Sequence, residues 1–204
     1  MEPFRVFEAV AVPIDEINVD TNQLCPTRFN KVPRGPGHAR ILFHDRRFDA
    51  QGNENANFVL NREPYRQARI IVAERNFGCG SSRESAVYAL DAFGVRSIIA
   101  PSFGDIFTSN CLKNGLLPVR VPAEVAADMR RQLHAQIGAT VKVDLEQQTV
   151  TGPDDKPHPF DIHLLRRRCL LEGLDDISLT QRYRTEFEAF EAGHRAAMPW
   201  LFRG

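Results

Sequence analysis

Between residues 68 and 145, short apolar runs alternate with longer amphipathic segments, and no other feature constrains the fold as tightly. "ARIIVA" (68–73) is apolar, β-branched and too short for a helix, which predicts a buried strand. "SRESAVYALDAFG" (82–94) carries Ala86, Leu90 and Phe93 at helical spacing and stops at Gly94. "RSIIA" (96–100) is a second strand, and "SFGDIFTSNCLKNG" (102–115) is a helix closed by Asn114-Gly115, a favourable left-handed exit. "LLPVRV" (116–121) is a third strand whose proline suits an edge or a bulge. A helix over 123–138 and a strand over 140–145 complete the run. Strands joined through helices imply right-handed crossovers, so part of the sheet is expected to be parallel and the fold class α/β.

The flanks are less regular. Residues 1–67 read as loop-rich, with Pro33, Gly35, Pro36 and Gly37 clustered. After the βαβαβ-like core (68–145), "GPDDKP" (152–157) is a turn and "DIHLLRRRCLLEG" (161–173) a helix ending at Gly173. Tyr183, Phe187 and Phe190 recur at i, i+4 and i+7, a stripe expected to dock a C-terminal helix on the core. At 204 residues the chain suits a single domain, residues 1–204, with a helical C-terminal appendage over 160–200.

Charge and cysteine usage exclude several function classes. Twenty-six basic residues balance 26 acidic ones, whereas a dedicated nucleic-acid binder needs a basic excess. Arg166-Arg167-Arg168 is short, flanked by leucines, and reads as the solvated face of a helix. Zero net charge gives little self-repulsion, which is compatible with a partner surface. The N-terminal stretch is acidic and has no uninterrupted apolar run, unlike a secretory signal, and no segment is long and apolar enough to span a membrane. The expected location is cytoplasmic. Cysteines at 25, 79, 111 and 169 are each more than 30 residues from the next, without the close pairing of zinc or iron–sulfur sites. No metal site within this chain is expected.

The candidate chemistry lies in "NFGCGSSRESAVYAL" (76–90), a glycine-rich loop entering a helix. A dinucleotide fingerprint fails because Arg83 stands at the third glycine position. A phosphate loop lacks its lysine, and a nucleophile elbow lacks the glycine after its serine. What remains is a capping box, with Ser81 at the N-cap and Glu84 reaching back from three residues on. Glycines before it let a ligand approach the backbone, and Arg83 after it offers a bidentate grip on a carboxylate. Ser81 would share that positive field, which favours its alkoxide and its use as a proton acceptor. The residues describe a small-anion site, suited to a carboxylic acid.

"NFGCGSSRE", followed by "IIAPSFGDIF" and "NGLLPV", resembles the small subunit of 3-isopropylmalate dehydratase, the swivelling domain of the aconitase superfamily. "VDTNQLCPTRF" (19–29) is similar to that family's Asp-Thr-Asp-x-Ile-x-Pro motif, and "LEGLDDISLT" (171–180) to its C-terminal stretch. The resemblance spans nearly the whole chain in order. It implies an aconitase-type swivelling α/β domain and a hydro-lyase subunit that interconverts 2-isopropylmalate and 3-isopropylmalate in leucine biosynthesis. It also implies that Ser81 takes the carbon-bound proton, that Ser82 and Arg83 bind substrate carboxylate, and that Arg34, from "KVPRGPGH", adds a second substrate contact. The 4Fe-4S cluster is expected on a separate large subunit, with this chain binding no cofactor and working only in a heterodimer or heterotetramer.

Three positions depart from the family pattern. Ser85 stands where a histidine follows Ser-Arg-Glu, Asn22 where the second aspartate of Asp-Thr-Asp stands, and Cys25 where an aliphatic residue stands. Two alternatives to the leucine-pathway enzyme follow. One is a paralogous hydro-lyase subunit acting on a citraconate- or methylmalate-type acid, and the other is a catalytically silent regulatory partner.

Overall fold

The structure is a computed structural model, described for residues 1–202. The described residues form one sheet of β1 (Val6–Ile14), β2 (Ile70–Ala73), β3 (Ser97–Ala100), β4 (Leu117–Arg120), β5 (Thr140–Asp144), β6 (Thr149–Thr151) and β7 (Pro157–Pro159). Their spatial order is β4-β3-β2-β1-β5-β6-β7. β1 to β4 are parallel, with Ala11 opposite Ile70, Ile71 opposite Ile98 and Ile99 opposite Val119. β5, β6 and β7 continue from β1 as antiparallel strands. The partly parallel sheet expected from the alternation is present, and Pro118 lies on an edge strand.

Both faces of the parallel half are buried, which is why its strands read as unbroken apolar runs. On one face, Val12, Ile14, Ile71, Ala73, Ile98 and Ala100 join a core covered by short helices α1 (Thr21–Leu24), α2 (His38–Ile41) and α3 (His44–Arg47), and by α4 (Ser85–Phe93) and α5 (Asp105–Lys113). On the other, Ala11, Ile70, Val72, Ile99 and Val119 meet Ala126, Met129 and Leu133 of α6 (Ala123–Ala135). The strict alternation of strand residues between two cores follows from the two-residue strand period. Helix exits use glycine where the chain turns left-handed, at Gly94 (φ +101°) and Gly115 (φ +84°).

Two sequence expectations are corrected. Residues 1–67 include β1, a central strand between β2 and β5, rather than loop alone. Pro13 disguises it, because proline removes a ladder donor. The strand tolerates it there: Ala11 and Pro13 face the β5 side, and the β1–β5 pairing already ends at Val10–Thr140.

The C-terminal segment forms α7 (Leu164–Glu172), α8 (Asp176–Gln181) and α9 (Arg184–Ala197). The first of these docks firmly, since the Phe4 amide donates to the Leu170 carbonyl at 2.9 Å. The stripe on α9 does not dock on the core: Tyr183, Phe187 and Phe190 are 48%, 48% and 67% exposed. Periodicity identifies an apolar face, but the core does not cover it.

Candidate active site

The loops leaving the carboxyl ends of β1, β2 and β3 meet, the usual position of a ligand crevice in an open parallel sheet. The loop after β2 runs between the other two. Toward β1, the Gly78 amide donates to the Val19 carbonyl at 2.7 Å and the Thr21 amide to the Cys79 carbonyl at 2.9 Å. Toward β3, the Phe77 amide donates to the Ser102 carbonyl at 3.1 Å and the Gly104 amide to the Phe77 carbonyl at 3.0 Å. Glycine is required at two of these positions. A Cβ on Gly78 (φ +70°) would stand 2.2 Å from the Phe107 ring, and one on Gly104 would stand 2.5 Å from the Gly78 carbonyl oxygen. The "FGCG" run therefore serves close packing between loops, and that packing fixes where the serines emerge.

Ser81 and Ser82 are exposed, and α4 begins only at Ser85. The capping box is corrected accordingly. Glu84 occupies the N-cap without a side-chain bond to the backbone, and its carboxylate accepts from the Tyr88 hydroxyl at 2.6 Å, which pushes that phenol up. Ser81 instead sits in a side-chain network. Its Oγ accepts from Arg83 Nε at 2.6 Å and lies 3.4 Å from Thr21 Oγ1, whose hydroxyl donates to the Ser81 carbonyl at 3.1 Å. The positive group beside the serine is thus the guanidinium itself rather than a helix terminus.

Arg83 is held on its other side by α1 and the turn after it. Nη1 donates to Thr27 Oγ1 at 2.7 Å, Nη2 donates to Asn22 Oδ1, and the Thr27 hydroxyl donates to the same Asn22 oxygen at 2.7 Å. Asp20 fixes α1 by accepting from the Gln23 amide at 2.8 Å. Sequence reasoning misses Thr21 and Thr27, although both lie within "VDTNQLCPTRF"; that segment's order is the available signal. The three departures gather here as well. Asn22 touches Arg83, Ser85 Oγ donates to Asn30 Oδ1 at 3.0 Å, and Cys25 lies beside Ser85. Burial pushes the Cys25 thiol up, against the Ser85 hydroxyl and the Arg83 charge, which draw it down.

The structure brings Ser81, Ser82 and Arg83 together but not Arg34. Arg34 donates to Asp91 Oδ2 and Asn114 Oδ1, both at 2.9 Å, and its guanidinium stacks on Tyr88 at 4.6 Å. Asp91 is six residues, about 9 Å, along the helix from Ser85. Contact between Arg34 and a ligand at Ser81 would require release from these partners. Ser82 accepts from Asn110 through its carbonyl at 3.5 Å, which ties the loop to α5.

Among the described residues, no three His, Cys, Asp or Glu side chains gather as metal ligands. Cys25, Cys111 and Cys169 are buried, and Cys79 is half-buried with its thiol pushed up by burial and then by Asp20. These residues do not fit an iron–sulfur cluster. Among the described residues, no helix is long and apolar enough to cross a membrane.

This sheet, with its serine and arginine at the carboxyl ends of parallel strands, defines an aconitase-type swivel domain. The family model for the aconitase C-terminal domain matches residues 1–124. The LeuD_N model matches residues 128–163, and the model for the C-terminal domain of the 3-isopropylmalate dehydratase small subunit matches residues 176–204. A 3-isopropylmalate dehydratase small subunit of Dinoroseobacter shibae is 46% identical over 201 residues, covering 98% of this chain and 100% of that one. One of Gluconacetobacter diazotrophicus is 45% identical, covering 100% of this chain and 98% of that one. The crystal structure of 3-isopropylmalate dehydratase (leuD) from Methanocaldococcus jannaschii superposes with a TM-score of 0.65 at 25% identity, over 90% of this chain and 99% of that one. The chain belongs to the 3-isopropylmalate dehydratase small-subunit family.

Proposed function

We propose that this chain is the small subunit of a 3-isopropylmalate dehydratase, interconverting 2-isopropylmalate and 3-isopropylmalate by loss and re-addition of water. The observation that carries the reading is an exposed serine hydroxyl 2.6 Å from a guanidinium, in a chain of this family. Ser81 is the base: its alkoxide takes the carbon-bound proton, and the Arg83 Nε–H bond to Oγ favours the charged form. Arg83 also binds a substrate carboxylate, with Ser82 beside it. A large subunit supplies the iron–sulfur cluster and the rest of the site. The gathering of Asn22, Cys25 and Ser85 around Arg83 supports a second reading, a paralogous hydro-lyase subunit acting on a smaller hydroxy acid.

The test is co-expression with the large subunit, following the unsaturated acid by ultraviolet absorbance. Turnover of isopropylmalate supports the first reading; turnover of citraconate- or methylmalate-type acids alone supports the second. Ser81→Ala is expected to lower kcat by at least about 100-fold, the lower range for loss of a general base. Retained turnover in that variant removes Ser81 as base.

A further inference from the structure

We propose that α9 is a dimerisation helix, along whose aromatic stripe two copies of this chain pair antiparallel. The inference concerns assembly and does not depend on which acid the site turns over. More than half of the exposed large apolar side chains among the described residues lie between 176 and 202, including Ile177, Tyr183, Phe187, Phe190, Trp200 and Leu201. Apolar surface concentrated in this way marks an interaction site. The 3-10 turn Pro199–Phe202 extends the face rather than closing it. Phe202 packs edge-on against His194, with ring centroids 5.5 Å apart, while Trp200 stays 62% exposed.

Charge identifies the occupant. Glu186, Glu188 and Glu191 precede His194 and Arg195, which lie in the last turn of α9. A second copy running the other way sets the acidic part of each helix against the basic end of the other, with the helix dipoles opposed. Among the described residues, Glu191 and Arg195 pair with no opposite charge, whereas Arg184 takes Glu188 and Arg182 takes Glu172. Glu191 and Arg195 are one turn apart, on the same flank of the stripe. The antiparallel register that places each Glu191 against the other copy's Arg195 is centred on Gly193. A Cβ on Gly193 would meet nothing within 4 Å, so the crossing point is clear. The same register brings Phe187 of each copy to the Pro199–Phe202 end of the other and buries aromatic surface at both ends.

Placement separates this contact from the Ser81 loop. α8, which leads into α9, is held through Asp176, whose carboxylate pairs with Arg166 at 3.0 Å and with Lys113 at 3.8 Å. Lys113 is in the last turn of α5, just before the chain enters β4 at the amino end of the parallel strands. The Ser81 loop leaves their carboxyl ends. A large subunit over Ser81 and a second copy on α9 therefore start from opposite ends, and both can be bound at once. The expected assembly is two small and two large subunits.

Analytical ultracentrifugation of the full chain, alone and in complex with the large subunit, tests this. The free chain is expected to be a dimer at micromolar concentration, and the complex to contain two copies of each chain. Phe190→Asp puts a charge in the stripe and is expected to raise the dimer Kd at least about 100-fold, leaving complexes with one copy of each chain. Phe190 is exposed, so this variant is expected to fold normally, which a thermal melt checks. Glu191→Arg and Arg195→Glu each set like charges together and are expected to weaken the dimer about 10-fold. The double reversal is expected to restore it to within about threefold of wild type. A monomeric free chain overturns the proposal; if Phe190→Asp then abolishes capture of the purified large subunit, that subunit covers the stripe instead. A dimer that survives Phe190→Asp overturns it too. Single reversals that weaken the dimer, with a double that does not restore it, refute the antiparallel pairing.

Discussion

Gly78→Ala tests whether the loop that carries Ser81 is held by close packing against the loops on either side. Gly78 is buried at φ +70°, and an added Cβ would lie 2.2, 2.3 and 2.7 Å from three atoms of the Phe107 ring. Ordinary carbon contacts begin near 3.5 Å, so the ring would have to retreat by more than about 1 Å. It has little room. Phe107 is 3% exposed and packs edge-on against Phe77, with ring centroids 5.8 Å apart. Overpacking of this kind costs about 1–3 kcal/mol. The left-handed backbone adds about 1–2 kcal/mol for any residue with a Cβ. The sum is about 2–5 kcal/mol, which at a urea dependence of about 2 kcal/mol per molar lowers the unfolding midpoint by about 1–2.5 M. Gly35→Ala is the control, since a Cβ there meets nothing within 4 Å. Its midpoint is expected to stay within about 0.3 M of wild type. Equal midpoints for the two variants would refute the packing argument and leave the "FGCG" run without its structural reason.

Arg130 is 8% exposed, bonds the Ala73 carbonyl at 2.8 Å and pairs with Asp15 and Glu74 at the ends of β1 and β2. Arg130→Ala strands a partly buried Glu74 carboxylate and is expected to cost about 3 kcal/mol, read from urea unfolding. Cys25 and Cys111 are buried with thiols pushed up by desolvation, so a maleimide reagent at pH 8 should label them only after denaturation. Native labelling of Cys111, read by mass spectrometry, would contradict its burial. The Arg168 hydrogen bond and then the Arg182 charge hold the Glu172 carboxyl below its usual range. A depressed carboxyl pKa contributes stability that is complete above about pH 4.5 and lost as pH falls through the folded value. Amide protection of α8 should therefore exceed that of Glu172→Gln at pH 7, and the two should converge in acid.

The regular elements were legible because their signal is local. β2, β3 and α4 to α6 follow directly from run length, helical spacing and glycine stops, and Pro118 correctly pointed to an edge. β1 was not legible, because tolerance of Pro13 depends on where a strand 130 residues away ends its pairing. The capping box had the right spacing and the wrong partners. Ser81 and Arg83 bond to Thr21, Asn22 and Thr27, about 60 residues upstream, and those contacts delay the helix to Ser85. Local preference yielded to a long-range network. The grouping of Ser81 with Arg83 could be read from adjacency, whereas the anchoring of Arg83, and the capture of Arg34 by Asp91 and Asn114, required the folded chain.

The two edges of the sheet bear on how the protein associates. β4 carries Pro118, and β7 begins and ends with Pro157 and Pro159. Proline offers no amide to an incoming strand, and three paired residues give a visiting chain little to align with. Neither rim is therefore a template for strand addition, which guards the free protein against edge-to-edge fibre growth while it waits for a partner. Growth of the sheet by a second chain is blocked at both ends, so assembly has to proceed through loops and helix faces. The loops carrying Ser81 and Arg83 are among those left open to it.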